Sequence, residues 1–170
     1  MKEKDERVMV KVKYGELENT FSGTPEATWL SLSNFFAEFL PAFKIANSLW
    51  LSINLQKLAK DCEGLITFSS EGPSILVPKN KLTDNEAISL WLLAVYVGHA
   101  LEMLKDDSLS KDDLQKKLGK SAKIASTRIG ELAKNSLITK TNDEKFKITT
   151  FGISQMQKET LPRIRAKANA

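Results

Sequence analysis

Residues 109–152 constrain this chain most, because two helix signals in quick succession are followed by two short apolar runs around a charged tip. Ser110 stands as an N-cap, Asp113 completes a capping box, and Leu109 and Leu114 are placed for a hydrophobic staple. The helix should end at Leu118, where Gly119 can take the left-handed conformation. Ser121 caps a second helix, in which Ala122, Ala125, Ile129, Leu132 and Ala133 recur as one buried stripe. With Ile129 at the centre of that stripe and about 100° per residue, Lys120, Lys123, Ile124, Thr127, Arg128, Glu131 and Lys134 face outward. Asn135 and Ser136 stop it, and residues 137–140 and 145–148 form a β-hairpin over Thr141, Asn142, Asp143 and Glu144.

The run Phe146, Lys147, Ile148, Thr149, Thr150, Phe151, Gly152 then leads into a last helix. Together these features resemble the winged helix-turn-helix superfamily, in which an aromatic-x-Ile-Thr-x-x-Gly run follows the wing. The resemblance covers about 70 residues, from Thr83 to Gly152. It implies a DNA-binding module, with the helix after Ser121 entering the major groove and the hairpin reaching an adjacent backbone or minor groove. Lys120, Lys123, Lys134, Lys140, Lys145 and Lys147 are then expected to meet phosphates. Thr127 and Arg128 would reach base edges, and Ile124 a thymine methyl.

Charge favours that reading. Residues 1–107 carry 11 Lys and Arg against 15 Asp and Glu, whereas residues 108–170 carry 14 against 6. The overall +4 therefore conceals a basic C-terminal part, where a polyanion would bind. The alternative is a protein-interaction module of a larger complex, with Ile124 as an apolar contact and Glu131 counting against a face given wholly to phosphate.

Thr83 and Glu86 make another capping box, opening a helix over residues 84–104 that is apolar on most faces and must be covered on both sides. Upstream, Val8, Val10, Val12 and Tyr14 alternate with Met9, Lys11 and Lys13 as a half-buried strand. Gly15 and Glu16 turn the chain into a weaker strand with Leu17, Asn19 and Phe21 on one face. Thr24, Pro25 and Glu26 begin a helix whose apolar stripe is Trp29, Leu32, Phe36, Phe39 and Leu40. Pro41 ends or kinks it before a second helical stretch to about Leu51. A further turn or two with Leu55, Leu58 and Ala59 precedes a hairpin of residues 65–69 and 74–78.

The expected fold is thus α+β: an N-terminal ββααββ domain, residues 1–80, followed by a winged-helix domain, residues 81–170. A hairpin feeding a helix also begins the β-grasp fold, though such an analogy supplies no function. The cluster Trp29, Phe35, Phe36, Phe39, Phe43 and Trp50 is expected to serve core packing, with a ligand pocket or dimer face as the other readings. The final helix, residues 153–161, should stop or bend at Pro162 and leave Arg163, Arg165 and Lys167 as a frayed basic tail.

Other chemistries are set aside on residue grounds. Gly119, Lys120 and Ser121 imitate the end of a phosphate-binding loop, but Leu114 occupies the required earlier glycine position and a helix, not a strand, precedes. His99 is the only histidine and Cys62 the only cysteine, so neither a zinc cluster nor a catalytic triad is indicated, and no disulfide can form within the chain. Asp106, Asp107, Asp112 and Asp113 have the residue type of a metal cluster, but two of them fit a helix start. The charged residues 1–7 lack the apolar core of a signal peptide, and the uncharged run 87–101 is too short to span a bilayer. The sequence therefore predicts a non-enzymatic, cytoplasmic, DNA-binding regulator or chromatin-associated factor. Double-stranded DNA is its expected partner, without cofactor, metal or membrane, as a homodimer or with a protein partner through the N-terminal domain.

Overall fold

The computed structural model describes residues 7–39 and 51–169. The expected break at Pro41 and helical stretch toward Leu51, with Leu40, Phe43 and Trp50, lie outside the described residues. Helix and strand are both present, 55% and 18%, so the class is mixed. The chain divides into two compact units, residues 1–51 and 52–170. The division thus falls well before residue 80, because residues 52–80 share a core with the helices and strands after residue 83.

In the first unit, β1 (Val8–Tyr14) and β2 (Leu17–Gly23) form an antiparallel hairpin, with Val10 opposite Phe21 and Val12 opposite Asn19. Helix α1 (Pro25–Phe39) comes next, its first turn held by the Thr24 hydroxyl, which accepts from the Ala27 N–H at 3.3 Å. The buried face is rotated from the expected stripe: Thr28, Ser33 and Phe35 are buried, whereas Trp29 is 64% exposed. Small Thr28 sits against the hairpin, its hydroxyl donating to Val8 O at 3.4 Å, and Phe35 meets Phe21 edge-on. Those contacts select the buried side of α1, since α1 is apolar around much of its circumference and hydrophobicity alone does not choose.

The second unit contains α2 (Leu55–Cys62), the hairpin β3 (Ile66–Ser69) and β4 (Gly72–Ile75), a 3-10 turn (Lys79–Lys81), and α3 (Asp84–Ala100). Next come α4 (Lys111–Leu118), α5 (Ala122–Lys134), β5 (Ile138–Lys140), β6 (Phe146–Ile148) and α6 (Thr150–Gln155). A π-helical turn, Met156–Thr160, joins α6 to α7 (Leu161–Asn169).

Helix α3 is the hub. Its capping box is formed as expected, Thr83 Oγ1 accepting from Glu86 N and Glu86 Oε2 from Thr83 N. Ten of its residues are buried, and it packs against α2, β4, α4, α5 and β6. Leu58, Leu65, Ile66 and Val77 from before it and Leu114, Ile129, Leu132 and Ile153 from after it join one apolar cluster. The helix stops at Ala100 instead of residue 104, where the chain reverses through Glu102 at φ 58° and Gly98 O accepts from both Met103 N and Leu104 N.

The C-terminal segment departs from a frayed tail. Pro162 has no N–H and its ring crowds the carbonyl four residues earlier, so the helix widens by one turn, Leu161 N bonding Met156 O, and then continues. Leu161 and Ile164 are buried. Arg163 and Lys167 reach Glu86 at 2.9 Å, and Arg165 donates to the Asp61 carbonyl at 2.9 Å. Burial alone would push the Glu86 carboxyl up, but hydrogen bonds from Thr83, Lys167 and Arg163 outweigh it and hold the group below its ordinary value.

Candidate nucleic-acid interface

Local chemistry sets α4 and α5 as the sequence predicts. Ser110 and Asp113 form their reciprocal caps, and hydrogen bonds from Ser110 hold the Asp113 carboxyl below the usual range. Gly119 adopts φ 70°, the left-handed geometry that lets the chain turn within three residues to Ser121. The Ser121 hydroxyl accepts from Ile124 N and starts α5. Leu109 exchanges backbone hydrogen bonds with Phe146 at 2.8 and 2.9 Å, giving β6 a second neighbour.

On α5, Ala125, Ile129 and Leu132 are buried, while Ala122 and Ala133, expected in the stripe, are exposed at its flanks. The exposed side presents Lys123, Ile124, Thr127, Gly130 and Lys134, with Lys120 just before the helix. Thr127 donates its hydroxyl hydrogen back to Lys123 O at 2.9 Å, which leaves the exposed hydroxyl oxygen able to accept. Among the described residues no carboxylate pairs with Lys120, Lys123 or Lys134. Gly130 belongs to the same side and carries no sequence signal of its own: a Cβ there would meet nothing within 4 Å, so packing within the chain does not require glycine.

The other expected contacts are engaged internally. Arg128 is half-buried against the flank of α5, its guanidinium 2.9 Å from Glu131 and 3.6 Å from Asp84. The hydrogen bond to Glu131 raises the Arg128 pKa, and Asn85 also donates to Glu131 at 3.1 Å. Glu131 therefore lies beside the exposed stripe and is tied to α3. On the hairpin, Lys140 pairs with Glu144 at 2.7 Å, Lys145 with Asp106 at 3.1 Å, and Lys147 with Asp107 at 3.4 Å. The Asp106 hydrogen bond raises the Lys145 pKa. Two of the aspartates considered for metal binding thus serve the hairpin lysines, and no metal-binding group of His, Cys, Asp and Glu occurs among the described residues.

The nine expected contact residues therefore separate into two sets. Lys120, Lys123, Ile124, Thr127 and Lys134 are exposed on or beside α5, while Arg128, Lys140, Lys145 and Lys147 are held in ion pairs. Part of that split is local, since Glu131 and Glu144 stand three and four residues after their partners. The Asp106 and Asp107 pairings span about 40 residues and carry no sequence signal.

Two further groups remain, Cys62 and His99. Cys62 is buried, and burial with the nearby Asp61 charge pushes its thiol up to about 12, so it stays protonated. His99 is exposed, its Nδ1 3.2 Å from Leu104 O. No described helix is long and apolar enough to cross a membrane. The chain matches no family model, and no curated protein or solved structure matches it.

Proposed function

We propose that residues 83–152 are a winged helix-turn-helix that binds duplex DNA through α5. The observation that carries this reading is the exposed stripe of α5: three lysines without carboxylate partners among the described residues, Lys120, Lys123 and Lys134, surround Ile124, Thr127 and Gly130. Cations at both ends of the stripe suit phosphates on either side of a groove, and Ile124 and Thr127 suit base edges. The bare Gly130 allows the helix backbone close to the duplex. The order helix, bridge, helix, helix, hairpin agrees with that architecture.

A specific observation favours the protein-interaction alternative. The hairpin lysines already have carboxylate partners, so a DNA backbone would have to displace Asp106, Asp107 and Glu144, and Ile124 remains 38% exposed.

The test is Lys123→Glu with Lys134→Glu, measured by fluorescence anisotropy on a random duplex across a salt series. Both side chains are exposed and have no carboxylate partner among the described residues, so the fold should survive. The salt slope is expected to fall by about one unit for each phosphate that the variant no longer neutralises. Lys140→Ala and Arg128→Ala should have smaller effects, because those cations are shared with Glu144 and Glu131. If the folded double variant binds as tightly as the parent, the DNA reading fails and the protein-interaction reading takes its place.

Regulation of transcription by a homodimer belongs to the same proposal, since paired recognition helices meet successive major grooves about 34 Å apart. Light scattering that finds only the 19.0 kDa species at micromolar concentration would exclude the dimer.

A further inference from the structure

Beside the turn joining α4 to α5 lies a cleft of about 520 Å³. Its apolar lining includes Val77, Leu82, Trp91 and Leu118, contributed by three separate segments of the second unit. Three lysines, Lys79, Lys117 and Lys120, also line it. The Lys117 ammonium stands 3.8 Å from the centroid of the Trp91 ring, and Lys79 Nζ lies 3.7 Å from where a Cβ on Gly119 would sit. The lining has one carboxylate, Asp84, whose Oδ2 faces Arg128 at 3.6 Å.

This arrangement is electrostatically unbalanced. Like charges gathered around a part-apolar concavity repel one another, and none of the three ammoniums has a carboxylate partner among the described residues. Burial lowers the Lys117 pKa, with Asp113 opposing, so the charged form is penalised where it stands. An anion would relieve both effects. The apolar share of the lining argues against a bare phosphate, which would leave the partly exposed Ile75, Leu82 and Trp91 uncovered. The volume falls within the range of small-molecule sites.

We propose that this cleft binds a small amphipathic anion, an aromatic or branched carboxylate, and that its occupancy draws Lys120 away from DNA. The carboxylate meets Lys79, Lys117 and Lys120, and the apolar body covers Ile75, Leu82 and the edge of Trp91. Because Lys120 is shared with the exposed stripe of α5, ligand and duplex oppose each other reciprocally. The second clause rests on the DNA reading, whereas the first does not.

The probe is 1-naphthoate, titrated calorimetrically into the full chain, with 1-naphthalenemethanol and inorganic phosphate as comparisons. One equivalent of naphthoate should bind, with the alcohol and phosphate each weaker by about tenfold or more. Lys79→Ala, alone and combined with Lys117→Ala, should weaken naphthoate while leaving duplex affinity unchanged. The single variant alters only an exposed residue of the 3-10 turn, so it separates binding from any packing change at Trp91. Absence of naphthoate binding, equal binding of phosphate, or undiminished binding by both variants overturns the site.

Saturating naphthoate should also lower duplex affinity by about fivefold or more in the parent. Unchanged duplex affinity overturns the regulatory clause and leaves the site standing. Failure of the parent to bind duplex without ligand condemns the DNA reading, and the calorimetry still judges the cleft.

Discussion

Glu86 shows how a single position ties together distant parts of the second unit. Its side chain is only 4% exposed, yet it accepts from Thr83 at the start of α3 and from Arg163 and Lys167 of α7. Its carboxyl is held below the ordinary value, so its stabilising effect is full above the unfolded pKa and is lost as pH falls through the folded one. Glu86→Gln should therefore lower stability by about 2 kcal/mol near neutrality, the scale of hydrogen bonds to a charged group and below that of a fully buried pair, because both cations are part exposed. Urea midpoints at neutral and at acid pH should show that difference shrinking as the pH falls through the lowered pKa of the folded carboxyl, where the parent side chain also becomes protonated. An equal difference at both pH values would assign the effect to packing. The Thr83 to Glu86 capping box is legible in the sequence because it acts over three residues. That Arg163 and Lys167 complete the same carboxylate is not, since about 80 residues intervene.

At the scale of elements, the passage from β6 into α6 explains a motif that the sequence presents only as a resemblance. Thr149 caps α6 by accepting from Gly152 N, and its hydroxyl donates to Ser136 O at 2.7 Å. This draws the helix start against the end of α5, where a Cβ on Gly152 would collide with the Leu137 carbonyl oxygen. Gly152→Ala should accordingly cost about 1–3 kcal/mol or more, because backbone, not a movable side-chain tip, must give way. Gly130→Ala should go the other way, stabilising by about 0.5–1 kcal/mol, since α5 gains helix propensity and no neighbour is displaced. Paired thermal melts would check both. A destabilising Gly130→Ala would reveal a packing role absent from this structure, and a neutral Gly152→Ala would mean that the close approach is not held in solution.

For the whole molecule, the described residues of the main apolar cluster, together with the partly buried residues against it, run from Ile53 to Ala168, all within the second unit. Cooperative stability should therefore reside in the second unit. A fragment of residues 52–170 is expected to unfold in one transition at nearly the urea midpoint of that unit in the full chain and, under the proposed DNA reading, to bind duplex with the salt dependence of the full chain. A fragment without a cooperative transition would show that residues 1–51 are needed for the second unit to fold.

What the sequence determined by itself is what acts within a turn or two of chain. Both capping boxes, the left-handed Gly119, the Ser121 cap and the hairpin around residues 141–144 all arise from neighbouring residues, and all appear in the fold. Tertiary structure decided what depends on residues far apart in sequence. It turned Trp29 outward because Thr28 and Phe35 meet the hairpin of the first unit, and it placed residues 52–80 with α3. It also tied Lys145 and Lys147 to Asp106 and Asp107, and gathered Lys79, Lys117 and Trp91 around one cleft. Periodicity specifies which face of a helix is apolar, but a charge is free or engaged according to what the folded chain brings within about 4 Å of it.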